Sequence, residues 1–321
     1  MKKLVVFLVV CFFLIPTIGF SEKIKIYSAW YPFFSYVPFT VAIEKGFYSK
    51  RGLDVEIVTA GGGATFDSIV MVSSNKVDFA MVGAGHLMAA VEKGAPITSV
   101  FSICEKVPTV IYYKKNRIKE PKDIKSILIS PKTTKGMVSR IFLKKNGLDG
   151  KVQEIVSNEP GRAFEINLLQ SDKIDAVPSQ ILETKVYYKE VFGDQIGYFA
   201  VSDYDVRMVY LSLAVNNETI KNRPDMIQKF VSATIEGYDY SIKNIDDSIT
   251  ITENKYPELK RLKLREVWQD TEKYHRESKS DLYGYTHLKN WQAMKQELMS
   301  INFIKGTVDE KTLFTNRFIK R

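Results

Sequence analysis

The sequence predicts an α/β protein made of two lobes, with a mainly helical C-terminal part. Three observations carry that prediction. Apolar residues switch repeatedly between the alternation of a strand and the three-to-four spacing of a helix. This rhythm breaks off and restarts after Tyr113. Beyond Val215 the helical spacing dominates. Strands that alternate with helices build mixed, mostly parallel sheets flanked by those helices.

Each element has a local cause. Lys23 to Tyr27 alternates as a strand. Pro38 opens a helix with Phe39, Ala42, Ile43 and Phe47 on one face, and Gly52 is its stop. Leu53 to Thr59 is a strand, and Gly61, Gly62 and Gly63 make a turn. Thr65 caps the next helix, whose Phe66, Ile69 and Val70 share a face. Val77 to Val82 is a buried strand. Gly83, Ala84 and Gly85 turn into a helix that Gly94 stops, and Ile97 to Ile103 is again a strand. In the second set, Ser126 to Ser130, Val152 to Val156 and Ile174 to Val177 read as strands. The helix near Lys135 turns Met137, Val138, Ile141 and Phe142 inward and stops at Gly147, and a second runs from Gly161 to Gln170. Met208 to Val215 is a strand. Helices follow from Pro224 to Tyr238, Leu264 to His275 and Leu288 to Met299. The simplest path places residues 22–111 and 207–321 in one lobe and 112–206 in the other, with crossings near Tyr112 and Val206.

The chain has 321 residues, enough for two domains with real cores. Met1-Lys2-Lys3, the apolar run Leu4 to Ile15 and the small residues Gly19 and Ser21 read as an export signal cleaved near Ser21. An uncleaved anchor is the alternative, although the run is short of the roughly 18 apolar residues of a membrane span. Cleavage removes Cys11 and leaves Cys104, so no internal disulfide and no multi-thiolate metal site is expected. The net charge of +9 falls to +7 without Lys2 and Lys3. Its Lys and Arg are interspersed with Asp and Glu, which reads as solvated faces and not as a nucleic-acid footprint.

Several stretches in order carry a resemblance. They are Trp30-Tyr31-Pro32, Ala42 to Tyr48, Gly52 to Ile57, Val77 to Ala80 with Gly83, Gly94 to Ile97, Lys119 to Ile124, and Ile174 to Val177. With them the chain resembles the type II periplasmic-binding-protein fold, in the NMT1/SsuA-like branch of substrate-binding proteins that serve ABC importers of sulfonates, nitrate and thiamine-pyrimidine precursors. The segment from Trp291 to Asn316 is similar to the pyrimidine-precursor and riboflavin binders in particular. The resemblance implies a periplasmic, monomeric clamshell that closes on one small molecule and docks on a membrane permease. It implies no cofactor and no metal.

In open α/β sheets ligands sit beyond the carboxyl ends of strands, so the candidate residues lie in strand-to-helix turns. Trp30 and Tyr31 follow the first strand and can stack on a flat ring, or simply pack. Gly62, Gly63, Ala64 and Thr65 allow close backbone approach to a ligand, or form a plain loop. Gly83, Ala84, Gly85 and His86 form a similar turn, with His86 either a donor or a surface cap. In the second lobe Lys132, Thr133, Thr134 and Lys135 offer hydroxyls and positive charge, and Ser179, Gln180 and Glu183 follow a strand. Glu105 and Arg207, near the crossings, either meet the ligand or bridge the lobes.

The aromatic opening points to a flat heterocycle, while the Lys132/Lys135 turn points to a small anion such as a sulfonate, taurine or nitrate. Two other readings keep the same fold. One is a sensor module. The other is an enzyme similar to the fungal pyrimidine-precursor synthases, where a Cys-rich motif and a histidine carry the chemistry. With one mature Cys, and with His86, His275 and His287 lacking paired spacing, the sequence favours a binder.

Overall fold

The computed structural model describes residues 21–60, 65–131, 133–158 and 161–320. Residues 1–20 of the export signal expected over residues 1–21, the Gly61–Ala64 turn and Lys132 lie outside the described residues. The chain runs β1 (Glu22–Ser28), α1 (Tyr36–Glu44), β2 (Leu53–Thr59), α2 (Thr65–Ser73), β3 (Phe79–Gly83), α3 (Ala84–Glu92) and β4 (Ile97–Cys104). It continues through β5 (Thr109–Lys114), β6 (Ser126–Ile129), α4 (Thr134–Lys145), β7 (Gln153–Val156), α5 (Arg162–Gln170), β8 (Ala176–Gln180), α6 (Ile181–Phe192) and β9 (Ile196–Ala200). After β10 (Leu211–Asn216) come α7 (Asn217–Asn222), α8 (Pro224–Lys243), α9 (Ile245–Lys255), α10 (Leu264–His275) and α11 (Leu288–Ser300).

Two five-stranded sheets form, in the orders β2-β1-β3-β10-β4 and β7-β6-β8-β5-β9. They repeat one pattern. In each, the strands built within the lobe are parallel, as in β1 with β2 and β3, or β6 with β7 and β8. The antiparallel member is the strand that has just crossed from the other lobe: β10 against β3 and β4, and β5 against β8 and β9. The home strands end at the side facing the partner lobe. A chain arriving from there must therefore run the opposite way.

The first crossing differs from the reading near Tyr112. Thr109 to Lys114 pairs along its length inside the second sheet, so Thr109, Val110 and Ile111 belong with the second lobe and the chain crosses between Cys104 and Thr109. The return lies between Ala200 and Leu211. Gly52, Gly94 and Gly147 adopt φ values of +74°, +92° and +68°, the left-handed turns expected of helix stops. Phe66 and Val70 differ from expectation. They are exposed, and α2 buries Ser68, Ile69 and Val72 instead.

The two Ile/Val-Asp stretches before the third strand of each lobe do the same structural work. Asp78 Oδ2 accepts from Lys25 N at 2.9 Å and its Oδ1 from Arg223 Nη1 at 2.6 Å. Asp175 Oδ2 accepts from Lys125 N at 3.0 Å and Ser126 N at 3.1 Å, while its Oδ1 pairs with Arg117 at 2.9 Å. Each carboxylate thus pins the lobe's third strand to its first, satisfying backbone donors at a sheet end. The C-terminal helices wrap the first lobe, where Tyr48 stacks on Phe230 and its hydroxyl meets Thr234 Oγ1 at 2.7 Å in the core. Among the described residues no helix is long and apolar enough to cross a membrane.

Candidate functional site

The carboxyl ends of the parallel strands in both lobes face one another, and the turns there carry most of the candidate residues. One contact between the lobes lies where the start of α3 meets the start of α4. A β-carbon added at Gly83 would stand 2.4 Å from Thr134 Oγ1, and one at Gly85 would stand 2.8 Å from Met137 Sδ and 3.3 Å from Met208 Cε. Glycine admits this approach without displacing the Thr134 or Met137 side chains. His86, one turn along, places Nδ1 3.5 Å from Thr134 Oγ1 across the interface. It is 1% exposed and flanked edge-on by Phe66 and Phe303 at 5.6 and 5.5 Å. His86 is therefore an inter-lobe residue, not a surface cap.

The β1–α1 turn is fixed through its backbone. The Trp30 carbonyl accepts from Thr59 Oγ1 at 2.6 Å and Tyr36 Oη at 3.4 Å, and its N–H meets Ser28 Oγ. The indole packs edge-on to Phe33 at 6.0 Å and stays half-buried, whereas Tyr31 is 62% exposed. Trp30 is thus the better seated of the expected pair. Phe66, 45% exposed at the start of α2, adds a second ring on this side.

In the second lobe Thr133 is committed to structure. It is the N-cap of α4, its hydroxyl accepting from Gly136 N and donating to Ser130 O. Lys135 pairs with the buried carboxylate of Glu165, to which Ser179 Oγ also donates at 3.4 Å. Glu165 was not expected. Its signal was present, because it lies four residues before Leu169 on the buried face of α5. Gln180 Nε2 donates to Tyr210 Oη at 2.5 Å, linking β8 to the returning chain. Burial and the neighbouring Glu183 both push the Tyr210 phenol well up, so it stays protonated. Tyr210 was hidden in a run read as plain strand.

Near the crossings Glu105 and Arg207 line a cavity of about 240 Å³, together with Lys106, Met208, Glu277 and Asn290. Glu105 is buried there and tied to the start of α11. It accepts from Ser102 Oγ, Thr286 Oγ1, His287 N and Asn290 Nδ2 at 2.7–3.2 Å. Burial raises its pKa, and these four donors oppose the rise. Arg207 is exposed and pairs with Asp205 at 2.6 Å. Cys104 lies 4.0 Å from His275 Nδ1. Burial pushes the thiol up and lowers His275 to about 4, so both groups are neutral at pH 7 and the pair carries no thiolate. Among the described residues no cluster of His, Cys, Asp or Glu is placed to hold a metal ion.

A family model described as "NMT1/THI5 like" matches residues 34–248. The riboflavin-binding protein RibY of Chloroflexus aurantiacus is 21% identical over 313 residues, covering 93% of this chain and 86% of that protein. A formylaminopyrimidine-binding protein of Halalkalibacterium halodurans is 22% identical, covering 78% and 76%. The 4-amino-5-hydroxymethyl-2-methylpyrimidine phosphate synthase THI5 of Saccharomyces cerevisiae is 32% identical, but over only 30% of this chain and 27% of its own. In structure the chain is similar to the periplasmic aliphatic sulphonate binding protein SsuA of Escherichia coli, with a TM-score of 0.69, 14% identity and 91% of each chain covered.

Proposed function

The chain belongs to the NMT1/THI5-like family, and on that footing we propose that it is an extracytoplasmic solute-binding protein. It closes two lobes on a flat heterocycle and hands it to the membrane permease of an ABC importer. The clamshell fold and the α3–α4 contact across the lobes support hinge closure. Both full-length relatives named above are binding proteins for nitrogen heterocycles. On this reading the chain works as a monomer, binds no nucleic acid and is exported to the periplasm, which the signal-like pattern of residues 1–21 supports.

The observation that carries the ligand class is Lys135. Its ammonium is engaged by Glu165, so this part of the basic turn presents an ion pair and not a free cation. The first lobe offers Trp30 and Phe66, which are surfaces for a ring. Trp30 and Phe66 wall the ligand, and Tyr31 covers its outer edge. Thr65 and the Gly62, Gly63, Ala64 turn approach it through backbone, as do Gly83, Ala84 and Gly85. His86, Thr134, Ser179, Gln180 and Glu183 orient it. Cys104 as the single cysteine outside the export signal, neutral beside His275, weighs against a Cys-rich reactive motif and so against the synthase reading.

A thermal-shift panel on residues 22–321 tests this. Riboflavin and aminopyrimidines raise the melting temperature by mass action, whereas taurine, alkanesulfonates and nitrate leave it unchanged. A shift with the anions alone would overturn the heterocycle assignment.

A further inference from the structure

The two cleft helices of the second lobe are each held twice. α4 begins at the cleft with Thr134 against Gly83 and ends, about 18 Å away, at Lys145. Lys145 Nζ reaches Glu297 Oε1 on α11 at 2.6 Å and Asp205 Oδ2 at 3.3 Å, with side chains 26% and 12% exposed for the Lys145–Glu297 pair. Its neighbour Lys144 donates to Ser300 O, where α11 ends. α6 repeats the arrangement. It starts just after Gln180, which bonds Tyr210, and farther along Glu190 pairs with Lys263 at 2.7 Å and Lys185 with Asp270 on α10 at 3.6 Å. The contacts to Glu297, Ser300, Lys263 and Asp270 join the second lobe to α10, α11 and the turn before α10, whereas Asp205 and Tyr210 lie on the returning chain. An opening that moves α4 and α6 away from α10 and α11 stretches or breaks those four contacts.

We propose that α10 and α11 act as electrostatic arms, with Lys145–Glu297 the principal strut, and that these pairs set the balance between open and closed lobes from outside the ligand site. Lys145 and Glu297 are positioning residues. They touch no ligand yet raise affinity by populating the closed form before it arrives. Closure then weakens with ionic strength even for an uncharged ligand, which has no charge of its own to screen.

The inference rests on the hinge-closing reading, and the test separates the two. Small-angle scattering of the ligand-free chain is recorded between about 20 and about 500 mM NaCl, where the screening length shrinks severalfold. The wild type expands with salt. Glu297→Lys, which faces Lys145 with a like charge, is expanded throughout, with Glu297→Gln in between. The pair Lys145→Glu with Glu297→Lys, combined with Asp205→Asn to remove the like charge beside position 145, regains the compact, salt-dependent form. Affinity for riboflavin, or for another compound that shifts the wild type, falls about fivefold in Glu297→Lys and recovers in the exchanged pair. Thermal melts of each variant establish that it is folded. A wild type that compacts with ligand but ignores salt would overturn the strut and leave the hinge intact, as would an exchanged pair as expanded as the single variant. A wild type of constant dimension with and without ligand would overturn both.

Discussion

Gly83→Ala tests lobe closure with a single methyl group. Gly83 has φ −62° and ψ 125°, a backbone that alanine adopts without strain, so the cost is one of space. The new carbon would stand 2.4 Å from Thr134 Oγ1 on the other lobe and 3.1 Å from His86 Nδ1 on its own. Overpacking of this kind costs about 1–3 kcal/mol. In an open molecule Thr134 has withdrawn, so most of that cost falls on the closed form. Affinity therefore drops about 5- to 150-fold while the melting temperature of the ligand-free chain changes little. Thr134→Ala removes the offending oxygen and leaves its Cβ at 3.7 Å, an ordinary contact. The double variant should bind more tightly than Gly83→Ala alone, a coupling that a double-mutant cycle measures by calorimetry. Wild-type affinity in Gly83→Ala, or a double variant no better than the single, would refute the claim that this contact belongs to the bound state.

Two further outcomes follow from single side chains. Trp30→Ala leaves the carbonyl contacts to Thr59 and Tyr36 in place and removes the ring, so affinity for a heterocycle falls by about 1–3 kcal/mol; unchanged affinity in a fluorescence titration would remove the stacking role. Burial lowers His275 from 6.5 to about 4, so the folded chain refuses a proton that the unfolded chain accepts, and the stability this provides is complete above about pH 6.5 and lost as pH falls toward 4. Glu105, raised by burial, has the opposite slope and offsets part of this loss. The His275 contribution alone is about 2 kcal/mol between pH 7.5 and 5, read from urea midpoints. His275→Phe flattens that portion of the slope, and an equally steep slope in the variant would assign the acid lability elsewhere.

The regular elements were legible wherever one face is buried. In α4, Met137, Val138, Ile141 and Phe142 are all buried, as their spacing demands. β2 spans Leu53 to Thr59, and α10 spans Leu264 to His275, as read. The reading failed where the pattern vanishes. β5 (Thr-Val-Ile-Tyr-Tyr-Lys) is interior to its sheet and largely buried, so no alternation marks its start, and the crossing was drawn three residues inside it. α2 misled for the converse reason. Phe66 and Val70 complete an apolar stripe in sequence, but α2 packs through Ser68, Ile69 and Val72, so they stay exposed.

At the site, sequence separates residue types but not partners. Thr133 and Thr134 are adjacent and chemically identical, yet one is consumed by the α4 cap and the other meets His86 across the lobes. Asp78 and Asp175 sit in family-like stretches but at the amino ends of β3 and β8, away from the cleft, and serve the sheets. Lys135 makes the sharpest case. Counted as charge, it argues for an anion. Folded, it faces Glu165, thirty residues away and 2% exposed. A carboxylate this buried needs compensation by a cation or by several donors, and Glu165 has Lys135 with the single hydroxyl of Ser179, so removing the ammonium would cost several kcal/mol in desolvation. The lysine is therefore bound to the protein's own need before any ligand arrives. An anion competing for Lys135 would have to leave Glu165 uncompensated, whereas a neutral ring on Trp30 leaves the pair intact, and that difference is the physical ground for preferring the heterocycle.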